Sequence, residues 1–276
     1  MKYDLVARIP VSESTMKSIL ALLICTAPVA LAQQAPTPGT SPAKTTVAAA
    51  PAPAPNPKVA VTPVERPEPG CQARHARFNE ISSKGEATLV FLGDSITQGW
   101  EGAGKAAWEK HWAPLGAANF GIGGDRTEHV LWRLQNGNFD GLKPKLVVLM
   151  IGTNNTGHQN RNGYSCSAEQ TADGVKTIIA KVQEKCPGTK VLLLGIFPRG
   201  ADSNDAYRKQ NTATNSLIKT YADDKSIFYM DLSEKFLQSD GTLTQEIMPD
   251  RLHLSAKGYE IWADAIDGKV KELMGS

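Results

Sequence analysis

Short apolar runs alternate with longer amphipathic stretches from about residue 71 to the end of the chain. Five of the apolar runs have the length of a strand: residues 87–92, 115–120, 145–151, 190–196 and 226–232. Four are nearly continuous in their apolarity, and the run 115–120 is weaker. Continuous apolarity is typical of strands that are covered on both faces, as in a parallel sheet. The pattern therefore predicts a five-stranded parallel sheet.

The amphipathic stretches between these runs have the spacing of helices. In residues 168–184, the apolar residues Val175, Ile178, Ile179 and Val182 keep the 3.6-residue repeat of one buried helix face. The predicted helices cover residues 103–112, 126–134, 168–184, 205–221 and 255–274. Strands that alternate with helices predict an open, doubly wound α/β sandwich, which binds ligands beyond the carboxyl ends of its strands.

The first 32 residues resemble an export signal. Met16-Lys17 leads into the apolar run 18–31, which ends in the small-x-small pattern Ala30-Leu31-Ala32. We predict a signal peptide over residues 1–32, with Met16 as an alternative start, and a secreted or periplasmic protein. The run is short for a bilayer span and no second hydrophobic segment follows it, so no integral membrane anchor is expected.

Composition separates the next 38 residues from the rest of the chain. Ten of the 17 prolines lie between Gln33 and Gly70, in a stretch rich in Ala and Thr with little to bury. We predict a disordered linker over residues 33–70 and one domain over residues 71–276. Six of the 30 basic and four of the 28 acidic residues precede Cys71, which leaves 24 of each in the domain. A neutral domain gives no electrostatic reason to expect nucleic acid as a partner.

Polar or glycine-rich segments follow the predicted strands. They are Gly93-Asp94-Ser95-Ile96-Thr97, Gly121-Ile122-Gly123-Gly124-Asp125, Gly152-Thr153-Asn154-Asn155 and Asp250-Arg251-Leu252-His253. Because the carboxyl ends of parallel strands share one edge of a sheet, these segments should meet there. They would bring a hydroxyl, a glycine turn, a carboxamide and an acid–imidazole pair together.

This set of groups is what acyl transfer requires. A serine hydroxyl attacks an ester only when a base takes its proton, which is the usual work of histidine near neutral pH. The histidine needs a carboxylate to fix its tautomer, and Asp250 lies three residues before His253. We predict Ser95 as the nucleophile, His253 as the base and Asp250 as its partner.

The developing oxyanion needs hydrogen-bond donors. The candidates are the backbone N–H of Ser95, the backbone N–H of Gly124 and the side-chain amide of Asn154. Asp125 followed by Glu128 has the spacing of a capping box, which would place Gly124 near the positive end of a helix. The sequence contains no ligand cluster for a metal and no sign of a cofactor site.

The four segments, in this order, resemble the signature blocks of the GDSL esterases, also called SGNH hydrolases. The resemblance runs from about Cys71 to the C-terminus and places the family's Ser, Gly, Asn and His at Ser95, Gly124, Asn154 and His253. It implies a three-layer α/β/α sandwich of the flavodoxin-like kind, no cofactor and short acyl groups as substrates. Residues 119–125, 129–134 and 197–200 are similar to the catalytic subunits of intracellular platelet-activating-factor acetylhydrolase. Asn155 departs from the Asp that many members carry.

Together these observations predict a secreted serine esterase for short acyl groups, acetyl above all, with O-acetylated carbohydrate as the expected substrate. A lipid- or thioester-directed acylhydrolase is the alternative among enzymes. From another class, a catalytically inactive carbohydrate- or envelope-binding module would have no use for Ser95, Asp250 and His253 together. A homodimer is compatible with the sequence, and the oligomeric state stays open.

Several other residues have two interpretations. Asp94 is expected to stabilise its turn rather than to act as a second acid. Arg199 either lines the substrate pocket or is an ordinary loop charge, and Trp100 either stacks on a sugar ring or belongs to the core. If any disulfide forms in the domain, helix geometry favours Cys71 with Cys166 and leaves Cys186 unbridged.

Overall fold

A five-stranded parallel sheet forms the centre of the computed structural model, which describes residues 58–157 and 165–275. The strands are β1 (Leu89–Gly93), β2 (Ala117–Gly121), β3 (Leu146–Met150), β4 (Lys190–Leu194) and β5 (Ile227–Met230). Their order across the sheet is β2-β1-β3-β4-β5, and every neighbouring pair is parallel. The predicted sheet is thus confirmed. The predicted signal peptide and residues 33–57 of the predicted linker lie outside the described residues.

Helices cover both faces of the sheet, which gives the three-layer α/β/α sandwich that the resemblance implied. The α-helices are α1 (Pro69–Lys84), α2 (Ser95–Gln98), α3 (Lys105–His111), α4 (Thr127–Gln135), α5 (Thr153–Thr156), α6 (Ala168–Lys185), α7 (Ala206–Ile218), α8 (Ser233–Phe236) and α9 (Ala256–Met274). Single 3-10 turns add Val59–Val61, Gly99–Glu101, Ala113–Leu115 and Lys219–Tyr221. Within the described ranges, none of these helices has the length and apolarity to cross a bilayer.

Two hydrophobic cores lie on opposite faces of the sheet, because successive side chains of a strand point in opposite directions. Phe91 packs with Trp262 of α9 on one face. Val90 belongs to the core on the other face, together with Val130 of α4 and Val175 of α6. Both faces of the central strands are therefore dry, which explains their continuous apolar sequence.

The packed domain begins earlier than the composition predicted. Ala60 is buried, and its carbonyl accepts a hydrogen bond from Thr127 Oγ1 at 2.8 Å. The Val64 N–H donates to the Glu128 carbonyl at 3.1 Å. Helix α1 starts at Pro69, before the predicted boundary at Cys71. The linker prediction is therefore wrong for residues 58–70, which bind to the face of the domain that α4 and α6 cover.

The three described cysteines form no disulfide with one another. Cys71 lies in the first turn of α1, whereas Cys166 is buried with its Sγ 3.7 Å from Asn155 Nδ2. The predicted bridge between them is therefore absent. Cys186 is also unbridged, and its Sγ lies 3.4 Å from the Leu142 carbonyl oxygen.

Candidate active site

The candidate nucleophile lies in a tight turn between β1 and α2. The Asp94 side chain accepts a hydrogen bond from the Ile96 N–H at 2.9 Å, which caps α2 and leaves Ser95 as the first helical residue. A Cβ at Gly93 would lie 2.2 Å from Thr97 Oγ1 and 2.4 Å from the Met150 carbonyl, so only glycine fits before the turn. Asp94 is fully buried and has the turn-stabilising role that the sequence predicted.

Asp250 and His253 are held together by their own turn. Asp250 Oδ1 accepts the N–H groups of Leu252 at 3.0 Å and of His253 at 2.7 Å. Its Oδ2 lies 2.6 Å from His253 Nδ1, and His253 Nε2 lies 2.9 Å from Ser95 Oγ. The structure thus places the three predicted residues in one continuous hydrogen-bonded chain.

This arrangement favours one tautomer of the neutral imidazole. Partial burial raises the pKa of the Asp250 carboxyl, but the hydrogen bonds from His253 outweigh it and hold that pKa below its usual value. An ionised carboxylate can only accept, so the proton lies on His253 Nδ1. Nε2 is then the acceptor that faces the Ser95 hydroxyl.

The glycine turn and Asn154 lie close to the turn that carries Ser95. A Cβ built on Gly123 would lie 3.7 Å from Ser95 Cβ, which shows how closely the glycine turn approaches the hydroxyl. The Asn154 amide donates to the Asp125 carbonyl at 2.9 Å, and its Nδ2 lies 3.5 Å from Asp94 Oδ2. Asn154 therefore spans the two turns that carry Ser95 and Gly124.

The helix that follows the glycine turn is capped differently from the prediction. The His129 ring accepts from the Arg126 N–H at 3.1 Å, so Arg126 is the cap residue of α4. Asp125 does not cap, because its buried carboxylate pairs with Arg133 Nε at 2.9 Å. Glu128 instead accepts from Arg126 Nε at 2.5 Å. The predicted Asp125–Glu128 capping box is therefore wrong, although α4 does begin directly after the turn.

Arg66 is part of this site and was missed by the sequence reasoning. Its Nη1 donates to the Gly123 carbonyl at 2.6 Å and lies 3.3 Å from Asp125 Oδ1. It comes from the segment whose composition predicted a linker. The available signal was the charged run Glu65-Arg66, which interrupts a sequence otherwise rich in Pro, Ala and Thr.

Comparison with known proteins decides the family. Residues 91–261 match the sequence model of the GDSL-like Lipase/Acylhydrolase family. The chain belongs to this family. It is 41% identical over 186 residues to platelet-activating factor acetylhydrolase IB subunit alpha1 from Bos taurus, a match that covers 67% of this chain and 75% of that relative.

Solved structures of similar fold include further members and esterases. A GDSL-like lipase from Bacteroides thetaiotaomicron superposes with a TM-score of 0.58 at 20% identity, covering 72% of this chain and 98% of that one. A variant of an acetyl-xylooligosaccharide esterase from Geobacillus gives 0.55 at 20% identity, covering 68% and 94%. Membership of the GDSL-like Lipase/Acylhydrolase family makes the chain a hydrolase.

Arg199 and Trp100 have structural roles in this GDSL-like acylhydrolase. Arg199 is buried, and its Nη1 donates to the carbonyls of Thr153 and Gly157, both at 3.1 Å. It therefore holds the turn that carries Asn154, and it is not an exposed loop charge. Trp100 is 1% exposed within the core, so it has no face available for a sugar ring.

In the described part of this acylhydrolase, one group of side chains has the spacing of metal ligands. It consists of His111 of α3 with Glu260 and Asp264 of α9, whose ligand atoms lie within 4.8 Å of one another. His111 Nδ1 is hydrogen-bonded to Asp267 at 3.0 Å. This group lies on two helices and not on the loops that carry Ser95 and His253, and the chemistry below does not use it.

Asp94 makes the stability of this GDSL-like protein dependent on pH. Burial raises the pKa of its carboxyl to about 7, whereas an aspartate in an unfolded chain titrates near 3.9. Between these values the folded state binds more protons than the unfolded state, so Asp94 destabilises the fold as pH rises from about 4 to 7. Asp94→Asn, which keeps an acceptor for the Ile96 N–H, should gain stability relative to wild type by roughly 1 kcal/mol per pH unit across this window.

Urea unfolding of both proteins at each pH unit from 4 to 8 measures the difference. Asp202→Asn is the matched control, because Asp202 Oδ1 makes the same bond to the N–H two residues on, at 2.7 Å, but in an exposed turn. Asp202→Asn should not reproduce the gain seen for Asp94→Asn, because its carboxylate lies in an exposed turn and not in the interior. A constant difference for Asp94→Asn would contradict the assignment of a shifted carboxyl.

Proposed function

We propose that this protein is an exported serine esterase that removes acetyl and other short acyl groups, with O-acetylated carbohydrate as its substrate. The observation that carries the proposal is the chain of hydrogen bonds from Asp250 through His253 to Ser95 Oγ, with separations of 2.6 and 2.9 Å. Export rests on the sequence of residues 16–32. The carbohydrate rests on similarity of fold to an acetyl-xylooligosaccharide esterase.

In the first half of the reaction, His253 Nε2 takes the proton of Ser95 as Oγ forms a bond to the ester carbonyl carbon. The carbonyl π electrons move onto its oxygen, which becomes the oxyanion of a tetrahedral intermediate. Collapse of this intermediate breaks the bond to the alcohol oxygen, and the imidazolium gives its proton to that leaving group. The acyl group is now an ester of Ser95.

Water reverses these steps in the second half. His253 Nε2 takes a proton from water as the water oxygen attacks the acyl carbon, and it returns that proton to Ser95 Oγ when the bond to serine breaks. Asp250 stays ionised and holds the Nδ1 proton throughout. The products are the free carboxylic acid and the regenerated hydroxyl.

Three donors would stabilise the oxyanion in both halves. The Ser95 N–H lies in the first turn of α2, where N–H groups have no partner within the helix. Gly124 has φ of +78°, which aims its peptide in a direction that other residues rarely adopt. One proton of the Asn154 amide goes to the Asp125 carbonyl at 2.9 Å, and the other, which makes only a long 3.5 Å contact to Asp94 Oδ2, is the third donor.

Asn154→Ala should lower kcat by roughly 100-fold with little change in KM, because an oxyanion donor acts mainly in the transition state. Steady-state kinetics with p-nitrophenyl acetate measure both constants. Asn155→Ala is the matched control: Asn155 bonds to Thr127 Oγ1 at 2.9 Å and serves the packing of α4. The control should lose thermal stability and keep its kcat within a few-fold. A change confined to KM in Asn154→Ala would make Asn154 a residue that only positions substrate.

The substrate class is tested by comparing kcat/KM for acetylated saccharides with kcat/KM for an acetylated phospholipid. We expect the rate of hydrolysis of p-nitrophenyl esters to fall as the acyl chain lengthens, and we expect acetylated xylan to release acetate.

The second candidate substrate is an acetylated phospholipid, which is favoured by the 41% identity to a platelet-activating factor acetylhydrolase subunit. A higher kcat/KM for a 2-acetyl phospholipid than for any acetylated saccharide would select this alternative. Mature protein beginning at Gln33 in the periplasm or medium would establish export.

A further inference from the structure

The peptide group between Gly123 and Gly124 has contrasting surroundings at its two ends. Its carbonyl oxygen accepts a charged hydrogen bond from Arg66 Nη1 at 2.6 Å. Its other end is the Gly124 N–H, a proposed oxyanion donor that no acceptor in the described ranges takes up. Because a trans peptide is planar, its C=O and N–H point in opposite directions. Whatever fixes the carbonyl therefore also aims the N–H.

We propose that Arg66 is a positioning residue for the oxyanion site, which orients and polarises the Gly123–Gly124 peptide. The inference rests on the proposed serine mechanism. Two consecutive glycines lack the side chains that would restrict rotation of this peptide, so an outside anchor is needed. A cation on the carbonyl also draws electron density from the N–H and strengthens it as a donor, since linked hydrogen bonds polarise one another.

Arg66 is itself held in place for this task. Glu68 Oε1 accepts from its Nη2 at 3.0 Å, and Asp125 lies 3.3 Å from its Nη1. Only 14% of its side chain is exposed. The Arg66 carbonyl accepts from the Gln72 side chain at 2.6 Å, which ties the segment to the first turn of α1.

The close approach also explains the residue type at position 124. A Cβ there would lie 3.2 Å from Arg66 Nη1 and 3.7 Å from its Cζ. Glycine thus serves two purposes, since it permits the positive φ and leaves room for the guanidinium. The Asp125 carboxylate is independently held by Arg133, so loss of Arg66 leaves the turn anchored at its next residue.

Arg74 of α1 is a natural control for this role. Its Nε donates to the Gly121 carbonyl of the same turn at 2.9 Å, it pairs with Glu101 at 2.7 Å, and 17% of its side chain is exposed. The N–H of that peptide belongs to Ile122 and donates to the Gly93 carbonyl at 3.3 Å. Arg74 therefore acts on a peptide whose N–H is occupied within the protein and does not face substrate.

The test compares Arg66→Ala, Arg66→Lys and Arg74→Ala in the full chain. We expect Arg66→Ala to lower kcat for p-nitrophenyl acetate by about 10- to 100-fold with KM within threefold, since the donor is misdirected but still present. Arg66→Lys, which keeps a cationic donor, should recover part of this loss. Arg74→Ala should keep kcat within twofold. Thermal melting of all three separates effects on turnover from effects on folding.

Several results would overturn the inference. One is a kcat of Arg66→Ala and Arg66→Lys equal to that of Arg74→Ala. A second is a loss confined to KM, which would make Arg66 a substrate-binding residue. A third is a fall in the Arg66→Ala activity that only tracks the fraction of folded protein. Failure of the proposed function is distinct, because wild type itself would then lack esterase activity.

Discussion

Ser95→Ala is expected to lower kcat for p-nitrophenyl acetate by roughly 10⁵-fold or more while the protein remains folded. The hydroxyl is the only part of the hydrogen-bonded chain from Asp250 and His253 that can form a bond to the acyl carbon. Without it, the remaining groups can only assist attack by water. Removal of one oxygen leaves the α2 cap intact, since that bond runs from Ile96 N–H to Asp94.

Fluorophosphonate labelling gives a second measurement of the same prediction. Wild type should take up one label, which peptide mapping places on Ser95, and the variant should take up none. Ser165→Ala is the control, because its Oγ donates to the Thr156 carbonyl at 3.1 Å in another loop. That variant should label and turn over like wild type. A kcat of Ser95→Ala close to that of wild type would rule out Ser95 as the nucleophile.

Asp250→Asn should lower kcat by roughly 10⁴-fold, since the carboxamide cannot stabilise the imidazolium and favours the wrong tautomer. The asparagine oxygen can still accept the N–H groups of Leu252 and His253, so the turn should persist. The loss should appear in kcat, with melting temperature close to wild type. The effect on kcat can be separated from the effect on stability, because Asp250 Oδ1 accepts the N–H groups of the turn whereas Oδ2 contacts the imidazole ring.

Asp240→Asn tests whether any aspartate in a turn would behave this way. Asp240 Oδ1 accepts from the Thr242 N–H at 2.8 Å in an exposed turn that carries no histidine. Its substitution should leave kcat unchanged. If Asp250→Asn loses less than tenfold, the carboxylate contributes only to the turn, and His253 would act without it.

The sheet was predictable because its signal is local and repeated. Strands β1, β3 and β4 are buried on both faces and therefore read as continuous apolar runs, and α6 shows a clear 3.6-residue repeat. The edge strand β5 is only half-buried, and it covers Ile227–Met230 of the predicted run 226–232. Helix α1 is absent from the predicted helices, because its sequence is largely polar and gives no clear amphipathic repeat.

The grouping of Ser95 with Asn154 and His253 was predictable for a topological reason. Ser95 follows β1, Asn154 follows β3, and His253 lies in the segment after β5. In a parallel sheet, these segments all leave from the carboxyl-terminal edge. What could not be predicted were contacts that depend on side-chain reach across the fold. Arg66 crosses from a segment with linker composition, and Arg133 takes the carboxylate that the local spacing assigned to a helix cap.

The partners in the Ser95–His253 hydrogen bond are 158 residues apart in the chain. Tyr259, in the last helix, also donates to the Ile96 carbonyl at 2.6 Å and so supports the turn that carries the serine. Synthesis thus makes the proposed nucleophile, Ser95, long before the proposed base, His253, and the helix that supports the serine turn. A nascent or C-terminally truncated chain would carry a serine with no means of activating it. The onset of activity as the chain folds would therefore mark the docking of this helix.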